Sequence, residues 1–229
     1  MNIAQNIMAI RQKINAAAER SGRQSQEIEI IAVTKTVSAD RIKEAYQAGL
    51  KNLGENRVQE WQQKKDLLPG DCIWHLIGRL QTNKVKYLDQ SVGLIHSLDR
   101  FPLLEKLQAE GEKRSLVWQT LVQVNVAEDE AKAGLAVEEV RDFVATVKSY
   151  SHVRVLGLMT IGALDASPAE TRGYFRKLRE IREELIRKGI SQREEIPHLS
   201  MGMSQDYELA VEEGATLVRI GSSIFGHRN

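Results

Sequence analysis

The chain has 229 residues, 42% hydrophobic and 28% charged, with Lys+Arg 32 set against Asp+Glu 31. This near balance excludes the basic footprint of a nucleic-acid binder, and no apolar run approaches the ~20 residues that cross a bilayer. A lone Cys72 excludes an internal disulfide and suits a reducing compartment, so the expected location is the cytoplasm.

The first 21 residues repeat apolar positions at helical spacing with charges throughout, an amphipathic helix and not a signal peptide. An apolar strand over 29–35 ends in Lys35, and Ser38 can cap a helix that stops at Gly49. A short strand over 52–54 leads to Asn56, which either caps a helix over 57–66 or donates to a ligand oxygen. The strand over 73–77 contains His75 and runs into a polar, cationic loop ending at Lys84. Further strands are expected over 92–97, 115–124 and 154–160. Ser167-Pro168-Ala169-Glu170 is a capping box with proline at the first helical position, and that helix runs to about Lys188 with Gly189 as its stop. After a strand over 198–201, Ser204 can cap a helix over 205–213 that Gly214 ends, and the last strand covers 216–220.

Strands alternating with helices argue for a parallel sheet with helical crossovers. Eight such units in ~200 residues fit a closed (β/α)8 TIM-like barrel. The expected organisation is one α/β domain over 1–229, with an additional N-terminal helix over 1–22 and the barrel over about 28–226. The alternative, an open doubly wound sheet, is disfavoured because no Gly-x-Gly-x-x-Gly turn follows the first strand.

Several residues stand out chemically. Strand alternation puts Ile31, Val33 and Lys35 on one face, and the C-terminal ends of barrel strands line an active-site mouth. Read blandly, Lys35 is the first solvated loop residue. The Gly221-Ser222-Ser223 turn after the last strand is placed to hold a phosphate with backbone amides and hydroxyls, or is an ordinary turn. Ser200, Met201 and Gly202, at the end of the preceding strand, can complete that cradle. Arg219, between Val218 and Ile220, needs a partner or a wet cavity; it is a structural ion pair or a ligand contact. His75 packs or hydrogen-bonds within the barrel. His75, His96, His152, His198 and His227 are scattered, with no close pair at metal-ligand spacing.

Taken in order, Ala32-Val33-Thr34-Lys35, Gly54-Glu55-Asn56, the stretch from His75 to Lys84, Gly157-Leu158-Met159-Thr160, the stretch from Ser200 to Asp206, and Arg219-Ile220-Gly221-Ser222 resemble the pyridoxal phosphate homeostasis protein family over nearly the whole chain. The resemblance implies a single barrel like the N-terminal domain of alanine racemase, a fold type III protein of pyridoxal 5′-phosphate (PLP). It implies that Lys35 forms the Schiff base with PLP and Arg219 faces the pyridine nitrogen. Ser200, Gly221 and Ser222 would hold the phosphate, with backbone help near Met201 and Gly202, and Asn56 would lie on the 3′-oxygen side. An arginine at that nitrogen disfavours its protonation, so the ring is a poor electron sink. The chain stops at Asn229, and no tyrosine in the motif set matches the racemase base. The expected function is therefore a PLP carrier in vitamin B6 and amino/keto acid balance, without robust turnover. PLP-dependent apoenzymes are its expected recipients, and it is expected to be a monomer. The alternatives are a PLP-dependent amino-acid racemase and, more remotely, a phosphosugar-type barrel enzyme that uses no PLP.

Overall fold

The computed structural model describes residues 2–129, 131–163 and 165–226; His227 and Asn229 lie outside the described residues. Helix α1 (Ile3–Arg20) presents Ile3, Ile7, Ile10, Ile14, Ala17 and Ala18 as one buried stripe, spaced three and four residues apart as a helix face requires. Each of those isoleucines contributes about 1.5–3 kcal/mol of burial.

Eight parallel strands follow: β1 (Glu29–Val33), β2 (Asn52–Glu55), β3 (Ile73–Leu76), β4 (Val92–Leu98), β5 (Trp118–Gln123), β6 (Val153–Met159), β7 (His198–Ser200) and β8 (Leu217–Ile220). They pair in sequence order, and β8 pairs with β1, closing the barrel and excluding the open sheet. The crossovers carry α2 (Ala39–Gln47), α3 (Val58–Lys64), α4 (Phe101–Arg114), α5 (Val140–Val147), α6 (Pro168–Arg187) and α7 (Tyr207–Glu212). A 3-10 segment, Thr82–Tyr87, takes the place of a helix between β3 and β4, and a short α8 (Ser222–Phe225) follows β8. Helix α1 packs against α7 and α8, and Asn6 Nδ2 donates to Ile224 O at 2.9 Å.

Strand alternation divides the core in two. Ile30, Ala32, Leu53, Trp74, Leu158, Leu199 and Val218 face the helices in one large apolar layer. Ile31, Leu94, Leu121, Met159 and Leu217 form a small separate cluster inside the barrel. Gly157 permits the closest strand approach: a Cβ there would lie 2.0 Å from the His198 carbonyl oxygen.

The capping box at Ser167 forms as expected, Ser167 accepting from the Glu170 amide. Three local expectations need correction. Ser38 sits at the N-cap of α2 but makes no capping hydrogen bond. Ser115 is not in a strand; it ends α4 in the left-handed region at φ 55, so β5 starts at Trp118. Ser204 does not cap the next helix: α7 begins at Tyr207 with Asp206 at the N-cap position, because Asp206 Oδ1 accepts from the Met203 amide and closes an extra turn.

Candidate functional site

Lys35 is not the end of β1. The strand stops at Val33, and Lys35 occupies a turn in which the Val37 amide donates to Thr34 O at 2.9 Å. Its place is therefore set by that turn and not by strand parity. Thr36 has φ 61, an unfavourable conformation for a β-branched residue that surrounding contacts must hold. They come from α3 and β2. Glu60 Oε2 accepts from the Thr36 amide (3.0 Å), and Lys64 Nζ donates to Thr34 O (2.8 Å) and Glu55 Oε1 (2.7 Å). Glu55 Oε1 also accepts from Thr34 Oγ1 (2.6 Å). Glu55 is fully buried, and desolvation raises its carboxyl above the ordinary range. Lys35 itself is half-buried and has no hydrogen-bond or ion-pair partner among the described residues.

Arg219 stands opposite Ile31 across the β1–β8 pairing, so it points into the barrel, while Lys35 lies four residues farther along at the rim. It is 4% exposed, and burial brings its guanidinium down to about 10. Its recorded partners are neutral: Nη1 donates to Ser200 Oγ (2.5 Å) and Nη2 to Thr160 O (2.8 Å). The other guanidinium N–H groups have no protein partner among the described residues.

Ser200 ends β7, one residue short of the expected strand over 198–201, and its hydroxyl lies between Arg219 and His96 Nδ1 (3.0 Å). From there a polar thread continues down the barrel. His96 Nε2 meets His75 Nδ1 at 3.0 Å, and His75 Nε2 meets Asn52 Oδ1 at 3.1 Å. Asn52 Nδ2 then donates to Glu29 Oε2 at 3.0 Å on the exposed floor. Burial pushes His75 down to about 3. Burial, aided by His75 and Arg219, pushes His96 well below the usual histidine range.

The turns after β7 and β8 meet. Gly202, at φ 89, lets the chain pass so close to α7 that a Cβ would lie 2.5 Å from the Ala210 Cβ. Ser204 Oγ accepts from the amides of Gly221 (3.2 Å) and Ser223 (3.4 Å), which binds the two turns together. The Met201 amide is spent on Leu217 O (3.2 Å), whereas the Gly202 and Ser222 amides have no acceptor among the described residues. Asn56 is half-buried beyond β2 and does not cap α3, whose N-cap position belongs to Arg57. It lines a rim cleft of about 990 Å³ with Gly78, Arg79 and Glu60.

Among the described residues, this end of the barrel carries a primary amine without a partner, a buried guanidinium with unused donors, and a turn with open backbone amides. That donor set fits a small planar ligand with an electrophilic carbon, a ring acceptor and an anionic group, which describes PLP. Sequence reasoning placed Lys35, Arg219, Gly221 and Ser222 at this end of the barrel. It missed the roles of His96, Thr160, Glu55, Lys64 and Glu60. The signal for His96 was present: a histidine embedded in the apolar run from Val92 to Leu98.

Residues 5–229 match the family model described as alanine racemase, N-terminal domain. The chain is 46% identical to a pyridoxal phosphate homeostasis protein of Aquifex aeolicus (strain VF5), covering 100% of this chain and 99% of that protein. It is 36% identical to the protein of that name from Escherichia coli (strain K12), covering 100% and 97%. Among solved structures, PipY from Synechococcus elongatus PCC7942 with PLP bound superposes with a TM-score of 0.85 at 34% identity, covering 98% of this chain and 100% of that one. An alanine racemase of Clostridium difficile 630 shares the fold at a TM-score of 0.74 and 14% identity, this chain covering 57% of it.

Proposed function

This chain belongs to the pyridoxal phosphate homeostasis protein family, and on that premise we propose that it holds PLP at the β1/β8 rim and serves to store and deliver it. The observation that supports the reading is the β1–β8 pairing, in which Arg219 lies opposite Ile31 while Lys35, without a side-chain partner among the described residues, follows the end of β1. PLP supplies an aldehyde that an amine can capture and a ring that withdraws electrons. Lys35 is the amine that condenses with that aldehyde, releasing water. Arg219 has only donors to offer and faces the ring nitrogen, keeping that atom free of a proton. The open amides of Gly202 and Ser222 hold the phosphate, with Gly221, in the turn after β8, allowing the backbone to approach it closely. Ser200 orients Arg219, Met201 packs beneath the turn, and Asn56 closes the side of the 3′-oxygen.

Weak turnover follows from the same residues. Arg219 denies the ring its protonated, electron-accepting form. Tyr207, the tyrosine against the Gly202 turn, is buried and its phenol is pushed up to about 12 by desolvation, so it supplies no base at neutral pH. No helix among the described residues is long and apolar enough to cross a membrane. The reading has the chain acting in the cytoplasm as a monomer, with PLP-dependent apoenzymes as recipients.

Borohydride reduction of the PLP-loaded chain, followed by peptide mapping, tests the attachment. A pyridoxyl adduct on the Lys35 peptide, lost in Lys35→Ala, is expected; an adduct elsewhere, or none, removes the proposal. Incubation with a panel of L-amino acids, following chirality and keto acids, tests the carrier role. Sustained turnover that needs Lys35 would replace it with the racemase reading.

A further inference from the structure

The thread from Glu29 to Arg219 has a fixed polarity, and the polarity follows from its floor end. A carboxylate only accepts, so Asn52 must give Glu29 its Nδ2–H and turn its Oδ1 toward His75. His75 must then donate from Nε2. A neutral imidazole that donates from Nε2 accepts at Nδ1, so His96 in turn donates from Nε2 to His75 Nδ1. The same rule leaves His96 Nδ1 as an acceptor, and Ser200 must give it the hydroxyl proton. The oxygen lone pairs of Ser200 are thereby left for Arg219 Nη1. Every donor in the thread points from the mouth to the floor. A protonated His75 would break it, because its Nδ1–H and the His96 Nε2–H would then oppose each other at 3.0 Å.

We propose that this thread is a positioning relay: Glu29, acting through Asn52, His75 and His96, sets the Ser200 hydroxyl and so fixes the Arg219 guanidinium against the ligand. His75, His96, Ser200 and Arg219 are buried, while Asn52 is half-buried and Glu29 exposed at the floor. Asn52 carries no transferable proton at its amide, so the thread orients and does not conduct. His96 and His75 touch no ligand and act through Ser200. The inference rests on the proposal that Arg219 faces PLP.

Nitrogen-15 NMR of the uniformly labelled, unaltered chain without PLP reads the tautomers. Both His75 and His96 are expected neutral at pH 7, protonated at Nε2 and bare at Nδ1. A proton on Nδ1 of either ring overturns the relay. The second arm compares His96→Leu, which keeps neither contact, with His96→Gln, whose amide keeps one acceptor and one donor. Loaded with PLP, His96→Leu should shift the near-ultraviolet absorption band and release PLP to an apoenzyme trap several-fold faster, and His96→Gln should return both toward the parent. A folded His96→Leu with unchanged band and release overturns the proposal, as does an equal change in both variants, which marks a packing effect. If His96→Leu does not fold, the tautomers decide. If the unaltered chain takes up no PLP, the reading of the site fails, and the tautomers still decide the thread.

Discussion

Acidification from pH 7 to pH 5 should destabilise this protein through its buried histidines. His75 titrates near 6.5 when unfolded and at about 3 when folded. Between those values the unfolded chain binds a proton that the folded one refuses, so stability is present above pH 6.5 and falls as pH is lowered. Over 1.5 units below 6.5, at about 1.4 kcal/mol per unit, His75 alone removes about 2 kcal/mol by pH 5. That corresponds to a fall of about 4–8 °C in Tm for a chain of this size. His96 is shifted in the same direction and steepens the loss, as does His198, lowered chiefly by burial. Glu55 and Asp206 have raised values and oppose the trend where they titrate. The measurement is urea unfolding at half-unit pH intervals for the parent and for His75→Gln/His96→Gln. The double variant should lose at least about 2 kcal/mol of the parent's pH dependence between 7 and 5. Equal slopes in the two proteins would refute the assignment of buried, neutral imidazoles.

Lys64→Met should cost about 3–5 kcal/mol in urea unfolding, because it strands the fully buried Glu55 without its cation; Glu55→Gln in the same chain should recover most of it. Gly157→Ala should cost about 3 kcal/mol or more, since no Cβ fits 2.0 Å from the His198 carbonyl, and thermal unfolding reads it directly. Ser204→Ala should loosen the two turns it joins and raise the Kd for PLP about five- to tenfold, the equivalent of one lost hydrogen bond. An unchanged Kd in equilibrium dialysis would show that the turns hold themselves. Ser167→Ala, remote from the site, should cost about 1 kcal/mol of stability and leave PLP affinity unchanged.

The barrel was legible because its signals are local. Six of the eight strand runs carry β-branched or aromatic residues, those at 52–54 and 198–201 being the exceptions, and capping residues and glycines punctuate the helices between them, as at Ser167 and Gly189. Strand order then follows from short connections. Boundaries were less legible: Lys35 and Ser115 fall outside their strands because a turn and a helix end, both stabilised by neighbours in space, overrode the apolar pattern. Ser204 has the sequence signature of an N-cap, but its hydroxyl oxygen meets the Gly221 and Ser223 amides brought to it by β8.

By itself the sequence determined the residue types at the mouth: a lysine after the first strand, a Gly-Ser turn after the last, and an arginine in that last strand. These are fixed by position along the chain, and barrel topology brings first and last together. Only the tertiary structure decided what holds them. The Thr36 turn is held by Glu60 and Lys64 from α3. Arg219 is held by Ser200 from β7, Ser200 by His96 from β4, and His96 by His75 from β3. Those partners are as far apart in sequence as Ser200 and His96, 104 residues. No local pattern encodes such a pairing; it arises because alternate residues of every strand share one enclosed interior, where each polar atom must find its partner among whatever the other strands provide.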